Sequence, residues 1–336
     1  MIQKIKNNLI NFFKDPKEVI SFFVPILIAL ILIIPTDYTL TVGGGIINMD
    51  KKIEVENETK KEGSFNSCYV KELNGNVLTF ILGKIIPSFT LNKIEEVTLE
   101  NEEKNEYDFR GKMYFNSSLN SATKVAFTKL GKDLEIEKEE IYVVYIDKNA
   151  KTEVEVGDII TKVNGNTINT LDDLNNFVSE TKSDIINLTV LRNGKEKEVS
   201  GTLIDIDGAK KIGIYLAVKQ YFKTDPDIKF SFSNKEVGPS GGLIMTLSIY
   251  NKMVDYDITK GYKISGTGTI DDDGNVGEIG GVKEKLSGAV NKKCDIFICP
   301  MENYDEAVKI KQEKNYDIKI YGVSTFDEAL EVLNNL

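Results

Sequence analysis

No histidine occurs among the 336 residues. An imidazole is what takes the nucleophile's proton in Ser-His-Asp sites and their Cys-His relatives, so any activated serine here needs another base. Only three cysteines are present, Cys68, Cys294 and Cys299, too few and too scattered for a disulfide framework. The spacing of the last two puts them on opposite faces of one strand, as buried thiols. Without histidine and without a Cys-x-x-Cys pair, no metal site is expected. The chain also lacks sustained basic runs and carries a net charge of -10, which excludes nucleic acid as a partner because phosphate binding needs clustered Lys and Arg. No Gly-x4-Gly-Lys-(Ser/Thr) occurs, so ATP is not expected as a ligand and no other cofactor is called for.

What is present begins with an uncharged run, VISFFVPILIALILII from Val19 to Ile34, preceded by Lys4, Lys6, Lys14 and Lys17. It reads as a transmembrane anchor, a little short of the roughly 20 residues a spanning helix needs, with Pro25 near its entry. No Lys or Arg follows until Lys51, so the positive-inside bias places the N-terminus in the cytoplasm and everything after Pro35 outside the cell. The expectation is a single-pass protein of the cell membrane with extracellular C-terminal domains. A composition of 41% hydrophobic and 28% charged residues makes that remainder an ordinary globular chain.

Residues 36–137 alternate short apolar runs with turn-rich polar stretches and read as a small β-rich region of unknown role, with one or two helices. Ser121-Ala-Thr-Lys124 matches a Ser-x-x-Lys pattern, but no Lys-Thr-Gly partner occurs. From Ile141 the order sharpens to strand, Val156-Gly157-Asp158 turn, strand, a helix from Leu171 with Thr170 and Asp173 as its start signal, and a hairpin turning at Asn193-Gly194. This module, residues 138–206, resembles a PDZ domain, and the resemblance implies capture of extended peptides by strand addition. No Gly-apolar-Gly-Phe loop precedes its first strand.

Residues 207–336 alternate strands (Ile212–Val218, Ile228–Phe232, Tyr262–Ile270, Ile296–Cys299, Ile318–Tyr321) with helices (Gly241–Met253, Val282–Val290, Tyr304–Lys311, Thr325–Leu333). Gly238-Pro239-Ser240-Gly241-Gly242 sits where a turn meets an apolar helix, so the Ser240 hydroxyl can project while backbone N–H groups face an incoming carbonyl oxygen. About forty residues later comes Gly280-Gly281-Val282-Lys283-Glu284-Lys285. Together these motifs resemble the proteolytic domain of the Lon family, which carries Gly-Pro-Ser-(Ala/Gly)-Gly at the nucleophile and a Gly-Gly-apolar motif before the base. The resemblance implies Ser240 as nucleophile, Lys285 as general base, Thr267 positioning the lysine ammonium, and Gly238, Pro239 and Gly241 in support. Lys283, in the same helical turn, is the rival base. Asp271-Asp272-Asp273-Gly274-Asn275 fails the ligand spacing of a calcium loop and reads as a hairpin turn.

The expected fold class is α+β: a cytoplasmic N-terminus (1–18), a transmembrane helix (19–35), the β-rich region (36–137), the PDZ-like domain (138–206) and a Lon-type proteolytic domain (207–336). The whole is similar to the PDZ-containing, membrane-anchored Lon-like proteases of Gram-positive bacteria, which include a peptide-pheromone-processing enzyme. That resemblance implies a serine endopeptidase that works without ATP, with a peptide or unfolded protein as substrate and the membrane as partner through the N-terminal helix. A non-catalytic PDZ scaffold at the cell surface is the alternative, and a homo-oligomer is left open.

Overall fold

A computed structural model describes residues 12–206 and 208–336. The elements run α1 (Pro16–Leu32), β1 (Pro35–Asn48), β2 (Ile53–Val55), β3 (Ser64–Asn76), α2 (Val77–Ile85), β4 (Thr90–Lys93), α3 (Ile94–Val97) and α4 (Lys104–Lys129). They continue with β5 (Leu134–Ile146), β6 (Lys151–Thr152), β7 (Ile159–Val163), β8 (Asn166–Thr167), α5 (Leu171–Glu180), β9 (Ile185–Arg192), β10 (Lys195–Thr202), β11 (Ile204–Ile206), β12 (Ala209–Lys211) and β13 (Ile214–Thr224). The last stretch holds β14 (Ile228–Phe230), α6 (Gly242–Met253), β15 (Lys263–Gly266), β16 (Thr269–Ile270), β17 (Val276–Gly277), α7 (Val282–Asn291), β18 (Ile296–Pro300), α8 (Met301–Lys314), β19 (Lys319–Val323) and α9 (Phe326–Asn334). The chain divides into two compact units, one of residues up to 42 with 71–97, the other of 43–70 with 98–336.

In the smaller unit Asp15 caps α1, its carboxylate accepting from Lys17 N at 2.9 Å, with Pro16 as the first helical residue. The helix has 17 residues and ends at Leu32, two short of the apolar run. None of its residues is buried, and Ile20, Phe22, Leu27 and Leu30 are exposed. Among the described residues no helix is long and apolar enough to cross a membrane. Lys4 and Lys6 lie outside the described residues. β4 pairs antiparallel with the first half of β1, Tyr38 opposite Lys93. A reciprocal cap between Asn76 and Thr79 starts α2.

The PDZ-like sheet, of order β13-β5-β7-β9-β10-β6, carries the expected hairpin and helix. Asn193 and Gly194 have φ of 53° and 75°, the pair of positive values a type I′ turn needs, and Arg192 pairs with Lys195 across it. Thr170 and Asp173 form the capping box of α5. Alternating residues of β5, β7 and β9, among them Val143, Ile160, Leu188 and Val190, bury one face of the sheet against Leu174 of α5. The Val-Gly-Asp turn has a structural reason: Asp158 is buried, accepts from Glu155 N at 2.9 Å, and takes a two-point contact from Arg192 through Nε at 2.8 Å and Nη2 at 2.7 Å. That carboxylate in turn holds the Arg192 guanidinium above its usual pKa. Arg192→Ala leaves the buried Asp158 side chain without its two-point partner, and is expected to lower unfolding free energy by about 2–3 kcal/mol in urea titrations at pH 7.

Two segments pair with partners that their local sequence did not indicate. The strand expected at Ile212–Val218 in the proteolytic segment is β13, which pairs antiparallel with β5 and closes one end of the PDZ-like sheet. Its apolar residues satisfy either module, so local pattern could not assign it. Residues 36–137 do not make a sheet of their own. β2 pairs with β14, β3 pairs parallel with β15, and α4 is a 26-residue helix whose second half enters the core of α6.

In the larger unit the sheet runs β19-β18-β15-β3-β1, with β3, β15, β18 and β19 parallel, so the architecture is mixed α/β. On one face lies α6, buried along almost its entire length as its all-round apolar sequence requires. On the other lie α7 and α8, with Val282, Leu286, Ala307 and Ile310 around Phe297. The thiols of Cys294 and Cys299 both join this second cluster, with Cys68. The opposite-face expectation fails because Cys294 precedes β18 and is free of its alternation. Asp271–Asn275 is the hairpin turn between β16 and β17, Asp271 accepting from Asp273 N and Asn275 N. At the start of α9 Thr325 accepts from Glu328 N as a cap should, but Glu328 reaches back to Ser324 N rather than Thr325 N.

Candidate active site

Strand β15 ends at Gly266, and the residues that follow it gather the site. Thr267 is fully buried, and its hydroxyl donates to the backbone oxygen of Ser240 at 2.9 Å. Gly268 N donates to the same oxygen at 2.8 Å, and Leu243 N returns a bond to Gly268 O at 3.1 Å. The Ser240 turn is thus laced to the end of β15 at the carboxyl edge of the parallel strands, where open α/β sheets carry their sites. Thr267 was expected on the lysine ammonium. The structure places its proton on Ser240 O, which leaves the hydroxyl oxygen able to accept from an amine.

Ser240 is half-buried at the entry to α6. Two of the first helical N–H groups are already used, Gly242 N on Pro239 O at 3.2 Å and Leu243 N on Gly268 O at 3.1 Å, so neither is available to an incoming carbonyl. Gly241 is confined by a residue that sequence reasoning did not single out: a Cβ there would lie 3.0 Å from Ser67 Oγ. Ser67 belongs to β3 and pairs with Gly266. An alanine at this position would therefore require the Ser67 side chain to give way.

Lys285 lies in the first turn of α7, held by Lys285 N bonding to Gly281 O at 3.0 Å. The residue is 3% exposed, close enough to Cys68 and Glu284 to interact with both electrostatically. Burial lowers its ammonium from 10.5 to about 8, with Cys68 and Glu284 acting in the opposite direction. Lys283 is 32% exposed and its Nζ lies 3.9 Å from Glu284 Oε1. One turn of helix thus presents one lysine to the interior and the other to solvent. Cys68, legible in sequence only as a thiol, is fully buried; burial first and Cys294 second push its thiol up to about 12, while a Ser265 hydrogen bond and Lys285 pull it down. At that pKa it is a neutral neighbour, not a nucleophile.

Ser121 and Lys124, the other Ser-x-x-Lys pair, both bond Asp272, at 2.5 and 2.7 Å. They tie α4 to the β16–β17 turn. Among the described residues no group of His, Cys, Asp and Glu side chains could hold a metal ion.

Residues 222–335 match the family model of the Lon protease (S16) C-terminal proteolytic domain, and residues 112–203 match that of the PDZ domain. The chain thus contains one segment similar to PDZ domains and one similar to the proteolytic domain of Lon proteases. Lon protease of Campylobacter concisus is 37% identical over 95 residues, 28% of this chain. That of Neorickettsia sennetsu is 34% identical over 93 residues, also 28% of this chain. The matched stretch spans only 12% and 11% of those two proteins. Among solved structures, the PDZ domain of the SdrC-like protein from Listeria innocua is 23% identical, covering 23% of this chain and 92% of its own, with a TM-score of 0.22.

Proposed function

We propose that the chain is an ATP-independent, membrane-anchored serine endopeptidase of the extracytoplasmic face, cleaving exported peptides or unfolded segments with a Ser240–Lys285 dyad. The observation that carries this reading is Lys285: a nearly inaccessible lysine with its pKa lowered to about 8, on the motif that accompanies the Ser240 turn. Such a lysine is neutral in a useful fraction of molecules near pH 8, whereas one titrating at 10.5 is not.

Neutral Lys285 takes the proton of Ser240 Oγ as that oxygen adds to the peptide carbonyl. The ammonium then returns the proton to the departing amine, and water, deprotonated by the same lysine, hydrolyses the acyl-enzyme. Thr267, Gly238, Pro239 and Gly241 hold the turn, and the N–H groups of Ser240 and Gly241 receive the developing oxyanion.

Substrate delivery falls to the PDZ domain. Its end strand β13, paired on one side by β5, offers backbone groups for an extended peptide to join, the mode by which exposed sheet edges capture peptides. Anchoring falls to α1 with the apolar residues that follow it. ATP independence rests on the absence of a phosphate-binding loop from these 336 residues.

The full chain in detergent micelles should cleave a fluorescently labelled unfolded protein without nucleotide, and a fluorophosphonate should label it at Ser240. If substrate stays intact over a wide range of peptides and Ser240→Ala labels as well as the parent, the peptidase reading is lost. In intact cells, an added protease should degrade the PDZ and proteolytic domains. Their protection until lysis would overturn the extracytoplasmic assignment.

A further inference from the structure

Helix α4 belongs to two cores at once. Met113, in its first half, packs with Val144 of β5 and Ala217 of β13 in the PDZ-like sheet. Ala122, Val125, Ala126 and Phe127, in its second half, pack with α6 in the proteolytic core. Between these halves lie two buried polar side chains, Ser118 at 3% exposure and Asn120 at 8%. Being two residues apart on a helix, they point in nearly opposite directions. Ser118 Oγ donates to Pro239 O at 2.9 Å, on the residue immediately before Ser240. Asn120 Nδ2 donates to Val218 O of β13 at 3.0 Å.

The nucleophile turn is gripped by α4 at more than this point. Gly238 N donates to Gly111 O at 2.8 Å, two helical turns before Ser118. Val237 packs over Gly111, 3.4 Å from where a Cβ would stand. Ser118 also abuts the first residue of α6, for a Cβ on Gly242 would fall 2.6 Å from its hydroxyl. A buried helical serine ordinarily returns its proton to its own helix. Ser118 spends it instead on the loop that aims Ser240.

We propose that Ser118 is a positioning residue for the nucleophile turn, and that Asn120 extends this support to the PDZ sheet, so that the setting of β13 is transmitted through α4 to Ser240. This rests on Ser240 as the nucleophile. Movement of β13, the strand to which a captured peptide would add, shifts Val218 and with it the helix that holds Pro239.

The test uses the full chain, with Ser118→Ala, Ser118→Thr, Asn120→Ala and the double alanine variant. Two readouts are taken: amide hydrogen exchange over residues 237–243, and fluorophosphonate acylation of Ser240 beside steady-state cleavage. Ser118→Ala should speed exchange in that segment and lower kcat and the acylation rate about 3- to 10-fold, the effect of one lost hydrogen bond. KM should stay within about twofold and the pH midpoint should not move, because Lys285 is untouched. Ser118→Thr, retaining the hydroxyl, should recover most of the rate. Asn120→Ala should speed exchange in the same 237–243 segment, and the double variant should be little slower than Ser118→Ala, as expected for two members of one chain of contacts.

Exchange over 237–243 unchanged in Ser118→Ala, or a raised KM at constant kcat, overturns the positioning role. An Asn120→Ala effect confined to 214–224 overturns the link to the PDZ sheet. If the parent chain neither cleaves nor is labelled, the peptidase reading fails, while the exchange data still decide whether α4 sets the turn.

Discussion

Lys285→Met is expected to abolish peptide cleavage, lowering kcat/KM by about 10²- to 10⁴-fold, the range over which a positioned general base acts. Methionine retains much of the lysine's length and suits a position that is 3% exposed, so the fold should tolerate it while the proton acceptor is gone. Ser240→Ala should be as inactive, and the double variant no worse than either, because a nucleophile and its base act as a unit. Lys283→Ala is the control. Its side chain is 32% exposed, and its loss should leave kcat/KM within about twofold, the small effect usual for solvent-accessible charges. Activity surviving in Lys285→Met and vanishing in Lys283→Ala would exchange the roles of the two lysines.

The second large effect is a pH dependence with opposite consequences for activity and stability. Cleavage requires the neutral amine, so kcat/KM should rise with pH through a midpoint near 8, the value to which burial lowers Lys285. The same burial costs stability. The folded-state value lies below the unfolded value near 10.5, so the penalty of a buried ammonium is fully present below pH 8. It is relieved as pH rises from 8 to 10.5, where the unfolded chain binds the proton and the folded chain does not, and it is absent above that window. Lys285→Met should therefore be more stable than the parent near pH 7 by roughly 3 kcal/mol, with that pH-dependent advantage shrinking toward pH 10.5. Urea unfolding of both proteins at pH 7 and pH 10 checks this. A difference that does not change with pH would mean the folded chain carries Lys285 protonated throughout the range.

The candidate site was legible in sequence to the extent that its chemistry is local. Gly238–Gly242 and Gly280–Lys285 are contiguous strings whose turns and helix starts follow from glycine, proline and apolar spacing, and α6 and α7 begin where those signals place them. The choice between Lys283 and Lys285 was less legible, since both stand in one turn and only the packing of α7 against the sheet says which is buried. Ser67 and Ser118 had no signal at all, and Cys68 was legible only as a thiol, not as a neighbour of Lys285. Each is a small residue in an ordinary strand or helix, brought to the site by partners more than a hundred residues away.

The sequence by itself determined that a serine would have to act without histidine, that Ser240 and Lys285 stand in motifs suited to it, and that a PDZ-like module with an Asn193-Gly194 hairpin precedes them. These are properties of short segments, where backbone preference and side-chain chemistry suffice. Only the tertiary structure decided that β3 joins the sheet of β15 and that α4 reaches the Ser240 turn, although the strands of the PDZ-like sheet intervene in the chain. Strand pairing and helix packing satisfy backbone hydrogen bonds and bury apolar faces with partners at any sequence distance, so periodicity can say that a segment will pair or pack but not with what.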